Sequence, residues 1–389
     1  MFDLVTNISI QKVYICVFNK IYMYTKRIFP IKGMLKWTSR EILLFLLIGA
    51  IPVFLFDVVG LKWLHVPWLP LGVLGTAISF IISFKNNASY DRLWEARKIW
   101  GGIVNTSRSW TIMVKDFIDN THAKKQLSSD ELKAIKKELV HRHIAWLTAL
   151  RYQMRADKPW ETHLKKDKKN AAFRAQHYLV YEDKTPIEEA VKPYISKEES
   201  TTIFAKGNKP SQLLGIQSTR LKELMNLGLI DNFRHMEMMN ILVEFYTLQG
   251  KSERIKNFPY PRQYATLNYI FVWIFILLLP LGIMQSFETI GAHIVDELSR
   301  HESSTDLGHA IQEFIANHFV WFSIPFSAML SWVFHTMEKI GENTENPFEG
   351  GVNDIPITDL SRGIEIDIRQ LIDDTDIPEP YIWKNDIVL

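Results

Sequence analysis

The sequence predicts an all-α membrane protein, with four transmembrane helices per chain and a large helical region outside the bilayer. Three observations carry this. Four stretches without a single Asp, Glu, Lys or Arg (42–56, 65–84, 264–287 and 314–334) stand among strongly charged segments. Each is near the length of helix that crosses a hydrocarbon core. The long charged stretch between the second and third shows helix starts and 3.6-residue apolar spacing, with no strand-like alternation of useful length. Lys and Arg also crowd one side of the four stretches, as they do around true membrane spans.

Taken in order, residues 1–40 form a basic segment: Lys12, Lys20, Lys26, Arg27, Lys32, Lys36 and Arg40 against Asp3 alone. It lacks the early basic region and unbroken apolar core of a signal peptide. Two readings stay open, an amphipathic segment lying at the membrane interface or a true start at Met23 or Met34. Residues 41–100 hold the first two spans. The first is short and contains Pro52, which a membrane helix tolerates. The second ends at Phe84, where the chain turns abruptly polar. Residues 264–337 hold the third span, with IFVWIFILLLPLGIM at its heart, and the fourth, which bears His318 and Pro325. The connection 57–64 is nearly neutral and 288–313 is acidic. Four spans with both termini in the cytoplasm satisfy all of these biases, so residues 101–263 and 338–389 are assigned to the cytosol.

In the cytosolic region, Ser128-Ser129-Asp130-Glu131 looks like a helix start leading into LKAIKKELVHRHIAWLTALRYQM. Residues 158–169 read as a charged connector. A helical run over 196–206 is broken by Asn208 and Pro210, and 211–245 reads as one or two long helices. After the fourth span, ENTENPFEGGVNDIPI has turn chemistry. A final amphipathic helix over about 357–372 precedes an acidic, proline-containing tail.

Composition excludes several classes. A net charge of +2 is too small to argue for nucleic acid. The single cysteine, Cys16, rules out an intrachain disulfide or a cysteine-rich metal site. His141 and His143 lie two apart on a helix and point in different directions, so they make a poor ligand pair. No nucleophile elbow, P-loop or dinucleotide fingerprint is present, so no catalytic, cofactor or metal site is assigned and an enzyme is not expected.

The residues that organise the chain lie at 67–101. Thr76, Phe80 and Phe84 recur at i, i+4 and i+8, one row of a helix. Gly75, Ser79 and Ser83 form a neighbouring row of small side chains that lets helices approach closely. The polar half carries N-x-A-x-Y-x-R-x-x-E-A-R-x-x-W-G, from Asn86 to Gly101. This run, FIISFKNNASYDRLWEARKIWG, resembles the bestrophin family of pentameric ion channels, including its bacterial members. Asn346-Pro347-Phe348 resembles the N-P-F motif that follows the last membrane helix in that family. The resemblance spans roughly 35–375 and is least specific over 155–200.

The resemblance implies a homopentamer around one central pore lined by the second span, sitting in the cell's inner (plasma) membrane with the lipid bilayer and permeant monovalent ions as its partners. It places the family's hydrophobic neck on Thr76, Phe80 and Phe84, with Thr76 a departure from the usual apolar residue. It places a cytosolic constriction near GLIDNFRHMEM, on Ile230 and Phe233. Each assignment has a plainer counterpart: a lipid-facing aromatic stripe for the neck, and buried helix contacts for the constriction. Below the neck, Lys85, Asn86, Asn87, Arg92 and Glu95 form a dense polar set. They either tune the local ion concentration or hold helices and subunits together by salt bridges. The family's eukaryotic calcium site needs a run of acids after N-P-F, and here only Asp354 remains of it. That predicts a structural turn without calcium gating, with Glu342, Glu345 and Glu349 on a solvated face. Passive conduction, of chloride and other anions by family analogy, is the expected function. A cation-selective channel of the same fold and a membrane-anchored scaffold are the alternatives. A secondary transporter is disfavoured because the four spans show no repeat.

Overall fold

The computed structural model describes residues 31–161, 172, 179–300, 307–383 and 387–389. The N-terminal readings, Cys16 and most of the 158–169 connector lie outside them. The described residues are helical without a β-strand, and four helices are long and apolar enough to cross a membrane. They fall into two compact units, one of residues 28–90 and 260–345 and one of 91–259 and 346–389.

The first unit is the membrane-spanning one. Its helices are α1 (Ile31–Trp37), α2 (Ser39–Asp57), the first part of α3 (Trp68–Phe117), α9 (Arg262–Arg300), α10 (Leu307–Asn317) and α11 (Ser323–Asn343). The α3 helix has 50 residues, about 75 Å of rise, and contributes to both units. Phe45, Leu71, Ile78, Ile82, Phe275, Ile276, Leu279 and Ala328 form the core between the spans. Pro52 lies inside an uninterrupted helix, as the sequence reading of the first span allows, and so does Pro280 in the third span. The fourth span differs from the expected 314–334. Residues 307–317 form the separate helix α10, the chain turns at His318, and a short 3₁₀ segment, Phe319–Phe322, leads into α11. Pro325 explains the boundary: it stands in the first turn of α11, where a missing N–H costs no hydrogen bond. The span therefore starts later and runs to Asn343.

In the second unit α4 (Ser129–Arg155) is the central helix. Its start is the capping box the sequence signals: Glu131 N donates to Ser128 Oγ at 3.2 Å, and Ser128 N donates to Glu131 Oε2 at 2.7 Å. Around it lie α5 (Ile187–Val191), α6 (Lys197–Phe204), α7 (Lys209–Asn226), α8 (Asn232–Asn257) and α12 (Ile357–Leu371). The core is rich in aromatics: Trp100, Trp110, Trp146, Phe245 and Phe348 are all fully buried. Asn208 and Pro210 do more than break a run. The Asn208 side chain accepts from Ser211 N at 3.1 Å and Pro210 sits in the first turn, so together they start α7.

The stretch 211–245 resolves into two helices because Gly228 turns the chain with φ +76°, and a Cβ there would overlap the His122 carbonyl. Gly228→Ala is therefore expected to cost at least about 2 kcal/mol, the left-handed penalty alone reaching roughly that value. A thermal unfolding midpoint lowered by several degrees checks this; an unchanged midpoint would show that the turn relaxes freely.

Candidate functional site

The face of α3 that precedes the polar signature is sharply two-sided. Leu71, Gly75, Ile78, Ile82, Lys85 and Ser89 are buried against the chain's own helices. Thr76, Phe80 and Phe84 lie on the other side, with Phe80 61% and Phe84 69% exposed. All three expected neck residues therefore share one surface that is left open among the described residues. The Thr76 hydroxyl donates to Gly72 O at 2.9 Å. That bond satisfies the hydroxyl's donor within the helix. The small-residue row does not act as one. Gly75 is packed inward, where an added Cβ would stand 2.9 Å from the Phe275 ring, whereas Ser79 and Ser83 face outward.

The polar set divides. Lys85 does not contribute a free charge: Nζ lies 2.6 Å from Glu338 Oε1 and both side chains are 3% exposed. Such a pair cancels its charge inside the subunit, which favours the salt-bridging alternative for Lys85. Asn86 Nδ2 donates to Met337 O at 3.3 Å, and Asn87 is exposed. In the second unit, Arg92 donates to Phe258 O at 2.9 Å and Ile255 O at 3.0 Å, binding the last carbonyls of α8. Glu95 pairs with Arg254. Helix-holding is thus the role the geometry gives to Lys85, Arg92 and Glu95.

The two residues expected at a cytosolic constriction separate completely. Ile230 is 2% exposed and belongs to the core, so its side chain lines no surface. Phe233 is 82% exposed at the start of α8. Two contacts decide this: Asp119 N, distant in sequence, donates to Leu229 O, which ties the 229–230 backbone down, and Asp231 then caps α8, its carboxylate accepting from Arg234 N at 2.9 Å. Glu237, Asn240 and Glu244 share the exposed row with Phe233, a polar stripe that the sequence analysis does not single out. The spacing i, i+4, i+7, i+11 was there to be read.

The segment after the fourth span is more buried than expected. Glu345 and Glu349 are 1% and 7% exposed, which corrects their placement on a solvated face. Glu345 pairs with Arg262 at 2.8 Å, and Glu349 accepts from Asn346 Nδ2 at 3.0 Å. Asp354 accepts from Gly350 N at 2.6 Å and Gly351 N at 2.9 Å, the capped turn that was anticipated.

Other polar groups are structural. His143 is held at about 3 by complete burial and stays neutral, its ring stacked on Trp146 and its Nε2 2.9 Å from Ser107 Oγ. Ser107 donates to Ile103 O and is wholly buried, so this Ser–His pair meets no substrate. Among the described residues no group of His, Cys, Asp and Glu converges to hold a metal. Burial pushes the Asp359 carboxyl up to about 6, opposed by the hydrogen bond from Trp383. A carboxyl raised in the folded state favours folding at acidic pH and loses that contribution as pH rises through about 4 to 6. Asp359→Asn is expected to raise the unfolding temperature at about pH 8 and leave it nearly unchanged at about pH 3, below both values. Equal effects at both would rule this out.

These elements define a four-span, all-α membrane protein with an uncovered aromatic row on its second span. The chain matches the bacterial/fungal bestrophin family over residues 24–296 and 314–370, and it belongs to that family. It is 24% identical over 359 residues to the voltage-dependent anion channel-forming protein YneE of Escherichia coli K12, covering 91% of this chain and 93% of the relative. It is 26% identical over 317 residues to a Ralstonia nicotianae protein of the same description, RSc3414, covering 79% and 81%. Its fold matches the crystal structure of a bacterial bestrophin homolog from Klebsiella pneumoniae, with a TM-score of 0.63 at 19% identity. That match covers 87% of this chain and 99% of the other.

Proposed function

We propose that five copies of this chain enclose one passive ion pathway, lined by residues 68–84 of α3, that conducts monovalent anions such as chloride. The observation that carries this reading is the uncovered row of Thr76, Phe80 and Phe84 opposite a fully packed helix face. Rings of such side chains form a hydrophobic constriction that gates by dewetting. The relatives' description as voltage-dependent anion channel-forming proteins supports the choice of anions. Phe233 forms the second, cytosolic constriction in this reading, without Ile230. The distribution of Lys and Arg supports insertion in the inner membrane with both termini in the cytoplasm.

A cation-selective pore is the second reading, favoured by one observation: Glu237 and Glu244 are exposed on the same row of α8 as Phe233. Acids lining a wide vestibule raise the local cation concentration. Reversal potential across a planar bilayer in a KCl gradient decides between them. A value near the chloride equilibrium potential is expected. A value near that of potassium transfers the assignment to cations, and the absence of any current from a correctly assembled oligomer overturns the channel reading in favour of a membrane-anchored scaffold.

A further inference from the structure

An outward row of side chains is only as fixed as the rotation of its helix, and the buried side of α3 shows what fixes it. Toward its start the contacts are apolar. Leu71 fills the space left by Gly282, and Gly75 lies against the Phe275 ring. Contacts of this kind hold two helices together without choosing one rotation sharply. Immediately after Phe84 the character changes. Lys85 Nζ meets Glu338 Oε1 at 2.6 Å, Asn86 Nδ2 donates to Met337 O at 3.3 Å, and Ser89 Oγ donates to Gly341 O at 3.0 Å. The Asn86 carboxamide lies over Gly341, where any Cβ would overlap it. One carboxylate and two carbonyls of α11 thus receive three side chains of α3 within about one turn.

We propose that the Lys85–Glu338 pair, with Asn86 and Ser89 seated at Gly341, is a positioning device that sets the rotation of the second span and so the alignment of Thr76, Phe80 and Phe84. The proposal rests on reading those three as pore lining. A helix turns about 100° per residue. A rotation of one step would therefore replace Phe84 in the lining by Ser83 or by Lys85 itself. Directional polar contacts forbid that slip where apolar packing tolerates it. The ion pair is the strongest of them because both members are buried, so either one left alone is an uncompensated charge that drives rearrangement. Replacing both by apolar groups of similar volume leaves no such charge and keeps the packing. Lys85 and Glu338 are positioning residues here and need not touch a permeating ion.

The test compares Glu338→Gln with the double variant Lys85→Met/Glu338→Met in the full-length oligomer, on a Cys16→Ser background. A cysteine is placed in turn at position 84 (Phe84→Cys) and at position 83 (Ser83→Cys). Each is labelled with 2-sulfonatoethyl methanethiosulfonate, and the rates are read by mass spectrometry beside bilayer currents. Glu338→Gln is expected to lower the rate for Phe84→Cys and raise that for Ser83→Cys, shifting their ratio about tenfold or more, since a stranded buried charge is worth at least that. The double variant, which strands no charge, is expected to assemble and to shift the ratio in the same direction, since apolar packing tolerates the slip that the ion pair forbids. An unshifted ratio in either variant overturns the proposal. If Glu338→Gln does not assemble, the double variant alone decides: a shifted ratio upholds the proposal and the wild-type ratio overturns it. Absence of current with the expected labelling pattern would remove the channel reading and leave the positioning device standing.

Discussion

Replacing Phe80 and Phe84 together by alanine is expected to raise the open-state current several-fold and to weaken closure of the pore. The two rings stand one helical turn apart, about 6 Å along the axis, and project from a face that the described helices do not cover. A constriction of this kind excludes water because its walls offer no hydrogen bonds, and an ion entering it sheds hydration that nothing replaces. Alanine at both levels widens the passage and lets water stay, so the barrier falls at two successive rings. Each 1.4 kcal/mol removed is about a factor of ten in rate. Oligomer assembly should survive, because side chains 61% and 69% exposed contribute little to the core of a single chain. The check is single-channel and macroscopic current in planar bilayers, with a size-exclusion profile as control. Unchanged current from an intact oligomer would assign the aromatic row to lipid contact or subunit packing.

How much of this was legible beforehand depends on which physical rule governed each segment. The four spans could be read because a run without ionisable groups has few alternatives to a bilayer. The row Thr76, Phe80, Phe84 could be read because helical period alone puts the three on one side. The starts of α4 and α12 were visible for similarly local reasons, a capping box and an amphipathic pattern. What failed was whatever depended on a partner far along the chain. Nothing near Lys85 announces Glu338, 253 positions later, so the sequence leaves ion tuning and salt bridging both open for it. Glu345 looked solvated until its contact with Arg262, 83 positions away, was known. Ile230 and Phe233 lie three residues apart on either side of a helix cap, and which of them faces out follows from the backbone bond between Asp119 and Leu229. The boundary of the fourth span failed for the opposite reason. Hydropathy runs unbroken through His318, while the backbone obeys the local preference of Pro325 for a first helical turn.

Asp354→Ala is expected to destabilise the cytosolic unit by about 2–5 kcal/mol, because each buried donor stranded without an acceptor costs about 1–3 kcal/mol. The carboxylate accepts from two consecutive backbone N–H groups, those of Gly350 and Gly351, at 2.6 and 2.9 Å. The turn they close is otherwise demanding. Gly350 has φ +85°, Ile355 N donates across it to Pro347 O at 3.1 Å, and Phe348 is packed against Trp100 at 6.5 Å between ring centres. Arg155 Nη1 holds Phe348 O from outside the turn at 3.0 Å. Burial pushes the Asp354 carboxyl above its ordinary range, opposed by those backbone bonds and by the nearby charges of Arg155 and Lys256. Both bonds end on the one oxygen Oδ2, a role an amide carbonyl with two lone pairs can also fill, so Asp354→Asn should retain most of the stability that alanine loses. The same arrangement bears on calcium. A calcium site needs six to eight oxygen ligands, and here one carboxylate oxygen is already committed to the backbone, with two basic side chains close by. Current through the wild-type protein is accordingly expected to be the same in millimolar calcium and in excess chelator. A calcium-dependent current abolished by Asp354→Asn would show that the turn is a cation site after all.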